Sequence, residues 1–347
     1  MSTENSSDKN KPLVDFLGRS DYPDSFWKTS TPAKQDVDEN KLLEGLDFIY
    51  SRNFEIHSLL IIRNQNIIFE RYGIKKETEE QCLPTTSHLI HSCTKAIISA
   101  LIGIAIEQGY IKSVHEAVLP YFKDFQPENM TEGKARITIE HVLTMRSGLA
   151  WGESDREESD FMKAPIPVKY VLDQKLKYTP GEVFNYSSGN VHILAGLLHR
   201  ATGMKPLDFA INNLFIPLGI KTPPWLEDSN GTNYGCFGIS MTARDMAKFA
   251  YLFINKGQVG EKQIIPESWV KATLSSHTKS NWTKEDFGYL WWIPNGLMAS
   301  IVGAFGQNTY ILPHHNMIVT FNANMTFQAY ENNLATFTQK YICNAAN

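Results

Sequence analysis

Ser92-Cys93-Thr94-Lys95 runs directly into Ala96-Ile97-Ile98-Ser99-Ala100-Leu101-Ile102-Gly103-Ile104-Ala105-Ile106. A serine and a lysine three residues apart share one face of a helix. The lysine amine can therefore reach the serine hydroxyl. The first N–H groups of a helix lack intrahelical partners and the local dipole is positive there. A serine in that place gains a nearby base, and its own N–H can point at a developing oxyanion. The run that follows is apolar on every side, which predicts a buried helix.

The four-residue pattern is common in this chain. Ser-x-x-Lys starts at Ser6, Ser25, Ser92, Ser268 and Ser276. Ser6 lies in a polar tail and Ser25 in a Pro-rich entry segment. Ser268 opens a short helical run after Pro266, and Ser276 falls in a polar loop. Only Ser92 follows an apolar stretch, Leu89-Ile90, and starts a helix apolar enough to be buried. Context separates it from the others. The bland alternative is that Ser92 is an N-cap and Lys95 a solvated first-turn residue.

Working outward, Asp38 to Arg52 carries Leu42, Leu43, Leu46, Ile49 and Tyr50 at helical spacing. Ile56 to Tyr72 predicts a β-hairpin about the polar turn Arg63-Asn64-Gln65-Asn66. Residues 107–285 are mainly helical. Thr138 and Thr242 stand as N-caps, Val191 to Ala201 reads as a helix ending before Gly203, and Pro266 to Leu274 reads as another. After residue 285 the period changes to two. Phe287–Ile293, Leu297–Ala304, Thr309–Leu312 and Met317–Phe321 are expected as strands, with Glu331–Cys343 as a closing helix. These elements predict one antiparallel sheet assembled from both ends of the chain, with helices flanking it and a mainly helical insertion. The expected organisation is a loosely ordered segment 1–37, anchored by Phe16, Phe26 or Trp27, a sheet domain 38–106 plus 286–347, and a helical domain 107–285. The active site is expected between the two domains.

Composition narrows the function. The 347 residues are 42% hydrophobic and 20% charged, with a net charge of −4 and no basic block. That is ordinary for a globular protein and excludes nucleic acid as an expected partner. The longest apolar run lies between Lys95 and Glu107 and is too short to span a bilayer. Met1 to Lys11 has no apolar core and does not read as a signal peptide. A cytoplasmic location is favoured on that basis, and a periplasmic or secreted one if a signal has been removed. Cys82, Cys93, Cys236 and Cys343 show no paired spacing, so free thiols are the default. Cys93 is a second nucleophile in principle, though a small buried residue is the plainer role. No HExxH or paired Cys/His spacing is present, and no metal or cofactor is expected. His88 and His91 are read as structural or solvent-facing, and His314-His315 as a turn. The absence of GxSxG disfavours an ordinary α/β-hydrolase.

A serine hydrolase also needs a proton donor for the leaving group and oxyanion donors. Pro180 to Asn190 is a turn followed by a small polar loop, and Tyr186 in it could share a proton network with Lys95. Gly303-Ala304-Phe305-Gly306-Gln307 lies between two predicted strands, where glycine allows close backbone approach. Trp151, Trp291 and Trp292 can line an apolar cleft, with core packing the expected role for at least one of the last two.

Five ordered blocks over roughly residues 25–325 resemble the penicillin-recognising serine hydrolases. That family takes in class C β-lactamases, D-alanyl-D-alanine peptidases, related esterases and, above all, 6-aminohexanoate-dimer hydrolases. The blocks are Ser92-Cys93-Thr94-Lys95, Leu143 to Trp151, Phe184-Asn185-Tyr186-Ser187-Ser188, Gly238 to Lys248, and Gly303 to Gln307. The resemblance implies an α/β fold of α+β type, β-lactamase/transpeptidase-like, acting on a small amide or ester through an acyl-enzyme. It implies Ser92 as nucleophile, Lys95 as base, Tyr186 as proton shuttle, and the backbone N–H groups of Ser92 and Ala304 as oxyanion hole. Ser188, Trp151, Ile301 and Gly303 are implied at the substrate pocket. Two departures stand out. Ser188 replaces the usual asparagine of the second motif, and Ile301-Val302-Gly303 replaces the usual Lys-Thr-Gly or His-x-Gly. Both disfavour β-lactam turnover. A D-alanyl-D-alanine-type peptidase and a catalytically silent binding protein on the same fold are the alternatives.

Overall fold

The computed structural model describes residues 13–15, 26–294, 296, 298–326 and 333–346, without the side chains of 13–15 and 155–158. Of the expectations above, Ser6, Phe16, Ser25, Leu297 and Glu331 lie outside the described residues. The chain groups into two units. Residues 1–88, 241–251 and 302–347 form the first, and residues 89–240 and 252–301 form the second. The apolar helix after Lys95 therefore belongs with the helical middle of the chain.

In the first unit the hairpin strands Ile56–Arg63 and Asn66–Lys75 pair antiparallel, and Met317–Ala323 pairs antiparallel with Ile56–Arg63. Gln307–Leu312 pairs with Met317–Ala323 on its far side. The sheet is thus built from both chain ends, as the two-residue period predicts. The hairpin turns through Asn64 and Gln65, with φ of 50° and 62°. Positive φ at both central residues is the geometry that matches the right-handed twist of the flanking strands. One pairing departs from the antiparallel pattern: Lys28–Thr29 runs parallel to the start of Asn66–Lys75. All eight residues of Ile56–Arg63 are buried. Such a strand reads as a continuous apolar run because both faces of its sheet are covered.

Residues 26–37 are tied into this unit. Trp27 is 5% exposed and donates its indole N–H to the Arg244 carbonyl at 3.3 Å. Arg244 meets the fully buried Glu70 through two contacts of 2.9 and 2.8 Å, and Tyr72 donates its hydroxyl to the same carboxylate. Burial and the Glu70 charge push the Tyr72 phenol far up, so it stays a neutral donor. Removing either member of such a buried ion pair strands the other charge, at about 3–5 kcal/mol.

The second unit is organised by two apolar helices packed together, Thr94–Glu107 and Ser188–Thr202. Every residue from Thr94 to Ala105 is buried. Gly103 sits against the Trp269 ring, where an added Cβ would stand 2.5 Å from ring carbons. Ser187 caps the second helix by accepting from the Asn190 N–H, and Gly203 ends it in the left-handed conformation. Thr138 is the N-cap that its sequence context predicts, and it also closes a capping box with His141. The expected strand Phe287–Ile293 is two short strands, Asp286–Phe287 and Trp292–Ile293, joined by a turn in which Leu290 has φ 64°. A run of large apolar residues hid that turn. No helix among the described residues is long and apolar enough to cross a membrane.

Candidate active site

The site is assembled at the first turn of the apolar helix. His91–Cys93 forms a short 3-10 turn and the α-helix starts at Thr94. Ser92 is therefore not the N-cap; that place falls to Cys93, whose side chain makes no capping bond. His91 has φ 47°, a left-handed value uncommon for a residue with a side chain. This strain lies immediately before Ser92. Ser92 is partly exposed, and Lys95 is 3% exposed.

Lys95 is the hub. Its Nζ lies 2.7 Å from Ser92 Oγ, 3.2 Å from Ser188 Oγ and 3.1 Å from the Cys236 carbonyl oxygen. An ammonium has three N–H donors, and three acceptors meet them. Burial works against the Lys95 charge. Attraction from Tyr186, Cys236 and Glu153 works for it, and the balance lies above the ordinary lysine value. Lys95 is thus an ammonium in the resting protein, fixed against the Ser92 hydroxyl. The solvated first-turn lysine is not what the fold builds. The Tyr186 ring is centred 5.1 Å from Lys95 Nζ.

Ser188 extends the network. Its hydroxyl donates to Glu153 Oε2 at 2.9 Å, and its backbone N–H donates to Glu153 Oε1. Trp151 donates its indole N–H to the same Oε1 at 2.7 Å. Ser92, Lys95, Ser188 and Glu153 therefore form one hydrogen-bonded chain. Two loops hold it. Asn185 Nδ2 donates to the Trp151 carbonyl at 3.1 Å, the Asn185 N–H donates to the Met145 carbonyl at 2.8 Å, and Ser147 Oγ donates to Asn190 Oδ1 at 2.8 Å. Gly189 lets the Trp151 ring lie on the helix start; an added Cβ there would meet that ring at 2.7 Å.

The Cys236 carbonyl is braced from below. His192 Nε2 lies 3.0 Å from Asp228 Oδ2, both side chains being buried, and the Gly235 N–H reaches His192 Nδ1 at 3.4 Å. The ring therefore accepts at Nδ1 and donates at Nε2. Burial alone would raise the Asp228 carboxyl. The bonds from His192 and from the Thr232 and Asn230 N–H groups outweigh it and hold the carboxyl below 3.8. A depressed carboxylate contributes stability that is complete above its unfolded value and is lost as pH falls through the folded one. Asp228→Asn is therefore expected to cost about 1–3 kcal/mol at pH 7. Its melting temperature should fall less steeply than the parent's as the pH drops below about 4. Melting curves between pH 7 and 3 that run parallel for the two proteins would contradict this.

The remaining expected residues are placed as follows. Trp292 is 7% exposed and stacks on Tyr186 at 5.9 Å, with the half-exposed Trp282 edge-on to it at 6.3 Å. Trp291 is fully buried against Phe253, so it is the core member of the pair. Ile301, the last residue of the second unit, is 3% exposed in the strand Ala299–Gly303. Gly303 and Ala304 belong to the first unit, Ala304 opening a short helical turn in which Phe305 has φ 64°. Cys93 is fully buried and burial pushes its thiol far up, which makes it a poor nucleophile. Glu153 and the Cys236 carbonyl are the participants that sequence reasoning missed.

A family model described as Beta-lactamase matches residues 53–339. A 6-aminohexanoate-dimer hydrolase of Paenarthrobacter ureafaciens is 20% identical over 319 residues, covering 84% of this chain and 78% of the relative. Among solved structures, a candidate 6-aminohexanoate-dimer hydrolase from Bacillus anthracis matches with a TM-score of 0.74 at 18% identity, over 92% of this chain and 87% of that one. A family VIII carboxylesterase matches with a TM-score of 0.72 at 12% identity, over 91% of this chain and 99% of that one. At these identities the structural matches speak for the fold.

Proposed function

The chain belongs to the β-lactamase family, and from that premise we propose that it is a serine hydrolase that cleaves an amide or ester bond through an acyl-enzyme on Ser92. The observation that carries this reading is the 2.7 Å contact between Ser92 Oγ and the Nζ of a buried Lys95. A lysine held in that way has no packing purpose that a methionine would not serve better. Burying its charge is costly unless the charge is used or fully paired.

In this reading Ser92 Oγ attacks the substrate carbonyl carbon. Lys95 is the base for acylation once its own extra proton has passed through the Ser188 hydroxyl to the Glu153 carboxylate, and the freed amine then takes the Ser92 proton. Tyr186 passes a proton to the departing amine or alkoxide and later takes one from the water that hydrolyses the acyl-enzyme. The Ser92 N–H, in the turn ahead of the helix, serves as an oxyanion donor.

The charges at the site support a preference in substrate. Glu153 puts a carboxylate on Ser188, and by the family resemblance Ile301 takes the place of the residue that would greet an anionic substrate with a positive or polar group. A substrate carboxylate left partly unpaired costs about 1–3 kcal/mol, roughly one to two orders of magnitude in rate. Neutral or cationic substrates avoid that cost. The Paenarthrobacter ureafaciens relative is named for a 6-aminohexanoate dimer, an amide with an ammonium at one end and a carboxylate at the other. A panel of short-chain nitrophenyl esters, linear aminohexanoate amides, D-alanyl-D-alanine peptides and cephalosporins tests the reading. Ester or neutral amide hydrolysis should exceed cephalosporin hydrolysis by at least about tenfold in kcat/KM. Faster cephalosporin turnover would return the protein to the β-lactamases. Preference for the D-alanyl peptide would make it a peptidase, and no turnover at all would make it a silent binder.

A further inference from the structure

A second group of chemically active side chains lies in the first unit. His57 stands on the strand Ile56–Arg63, Cys82 directly follows the short strand Glu80–Gln81, and His88 begins the strand His88–Leu89. Potential ligand atoms of the three lie within 4.8 Å of one another. The two imidazole rings face each other with centroids 5.1 Å apart. His57 is 6% exposed and Cys82 is fully buried. His57 Nδ1 and both ring nitrogens of His88 are buried, and no hydrogen bond of normal geometry reaches them, the Thr86 backbone meeting the His88 ring only loosely.

That state is anomalous for ordinary packing. Buried polar atoms are nearly always partnered, and each orphan costs about 1–3 kcal/mol. Each of the two rings brings one ligand atom to within 4.8 Å of the Cys82 sulfur. We propose that His57, Cys82 and His88 form a binding site for a borderline-soft divalent transition metal, with zinc as the type ion. Imidazole and thiolate are the donors that zinc selects, and three protein ligands leave the fourth tetrahedral position to water. Glu55 supports the assignment. Its Oε1 lies 2.9 Å from His57 Nε2, which fixes the ring and leaves Nδ1 as the ligand atom. A carboxylate behind a ligating histidine is the usual outer support of such sites.

The protonation states suit ligation. Burial, then the neighbouring His57 and Lys75 charges, push His88 down to about 4, with the Thr86 backbone acting weakly the other way. The ring is therefore neutral and available. Burial pushes the Cys82 thiol up to about 11, with Lys75 pulling it down. Binding replaces the thiol proton: a metal–thiolate bond forms as the S–H bond breaks, and that proton leaves to solvent. Lys75 is the one cation among these neighbours that opposes a metal, and Glu80 holds it at 2.7 Å. Zinc–ligand distances near 2.0–2.3 Å place the ligand atoms about 3.5 Å apart, so closure takes movements of about an ångström.

Cobalt(II) is the probe. Untagged full-length protein, stripped with a chelator, is titrated with cobalt(II) alone and followed by absorption and by thermal melting. One equivalent should bind, with a thiolate-to-cobalt charge-transfer band and a raised melting temperature. Cys82→Ser should lose the band. His88→Gln should weaken binding at least tenfold, and Glu55→Gln roughly tenfold. Ser92→Ala should bind as the parent does, which separates this site from the hydrolase reading. Circular dichroism of each metal-free variant shows whether it folds, and if Cys82→Ser does not, His88→Gln decides. Absence of saturable binding, or a band that survives in a folded Cys82→Ser, overturns the proposal.

Discussion

Ser92→Ala is expected to abolish turnover while leaving the protein folded. Losing the acyl-forming nucleophile should raise the barrier by about 4 kcal/mol or more, roughly a thousandfold in kcat/KM. The fold should survive for a local reason. Lys95 keeps two of its three acceptors, Ser188 Oγ and the Cys236 carbonyl, when the Ser92 hydroxyl is removed. The assay is ester hydrolysis paired with a melting curve. Activity above about one per cent of the parent, in a protein with an unchanged melting curve, would show that Ser92 is not the nucleophile. The adjacent Cys93 would then be the next suspect despite its burial.

The second expected result concerns the proton network. Lys95→Ala and Tyr186→Phe should each slow the reaction by about 10²–10⁴, the usual range for positioned proton-transfer groups. The double variant should lose little beyond the worse single variant, because residues that act as one unit are strongly non-additive. The Lys95 ammonium stays charged partly through its attraction to Tyr186. Removing Tyr186 takes away a partner that helps to hold the Lys95 charge. Full additivity would mean that two separate proton paths exist.

Much of this site was legible in the sequence because it is local. Ser92 and Lys95 are three apart on one helical face, and the apolar run behind them declares its own burial. The N-cap and C-cap signals at Thr138 and Gly203 are equally local, and the structure honours both. Tyr186 lies 91 residues beyond Lys95. Its placement rested on resemblance, since no spacing rule reaches so far. Glu153 was invisible for a related reason. It follows Trp151 in a polar stretch, and only the tie between the 145–153 and 185–190 loops brings it to Ser188. The turn after Phe287 was hidden by side chains. Tyr289, Leu290, Trp291 and Trp292 are all buried, and a run of buried residues has no two-residue period to break. His57, Cys82 and His88 stand 25 and 6 residues apart. No metal-binding motif has that spacing, and strand placement is what gathers them.

The central claim is that Ser92 becomes acylated. Its most direct test is covalent labelling with a fluorophosphonate, followed by peptide mass mapping of the parent protein and of Ser92→Ala. The account predicts one adduct per chain, on Ser92, abolished by the substitution and greatly slowed in Lys95→Ala. An adduct on Cys93 or at any other residue, or no adduct in a protein that still turns over esters, would contradict it.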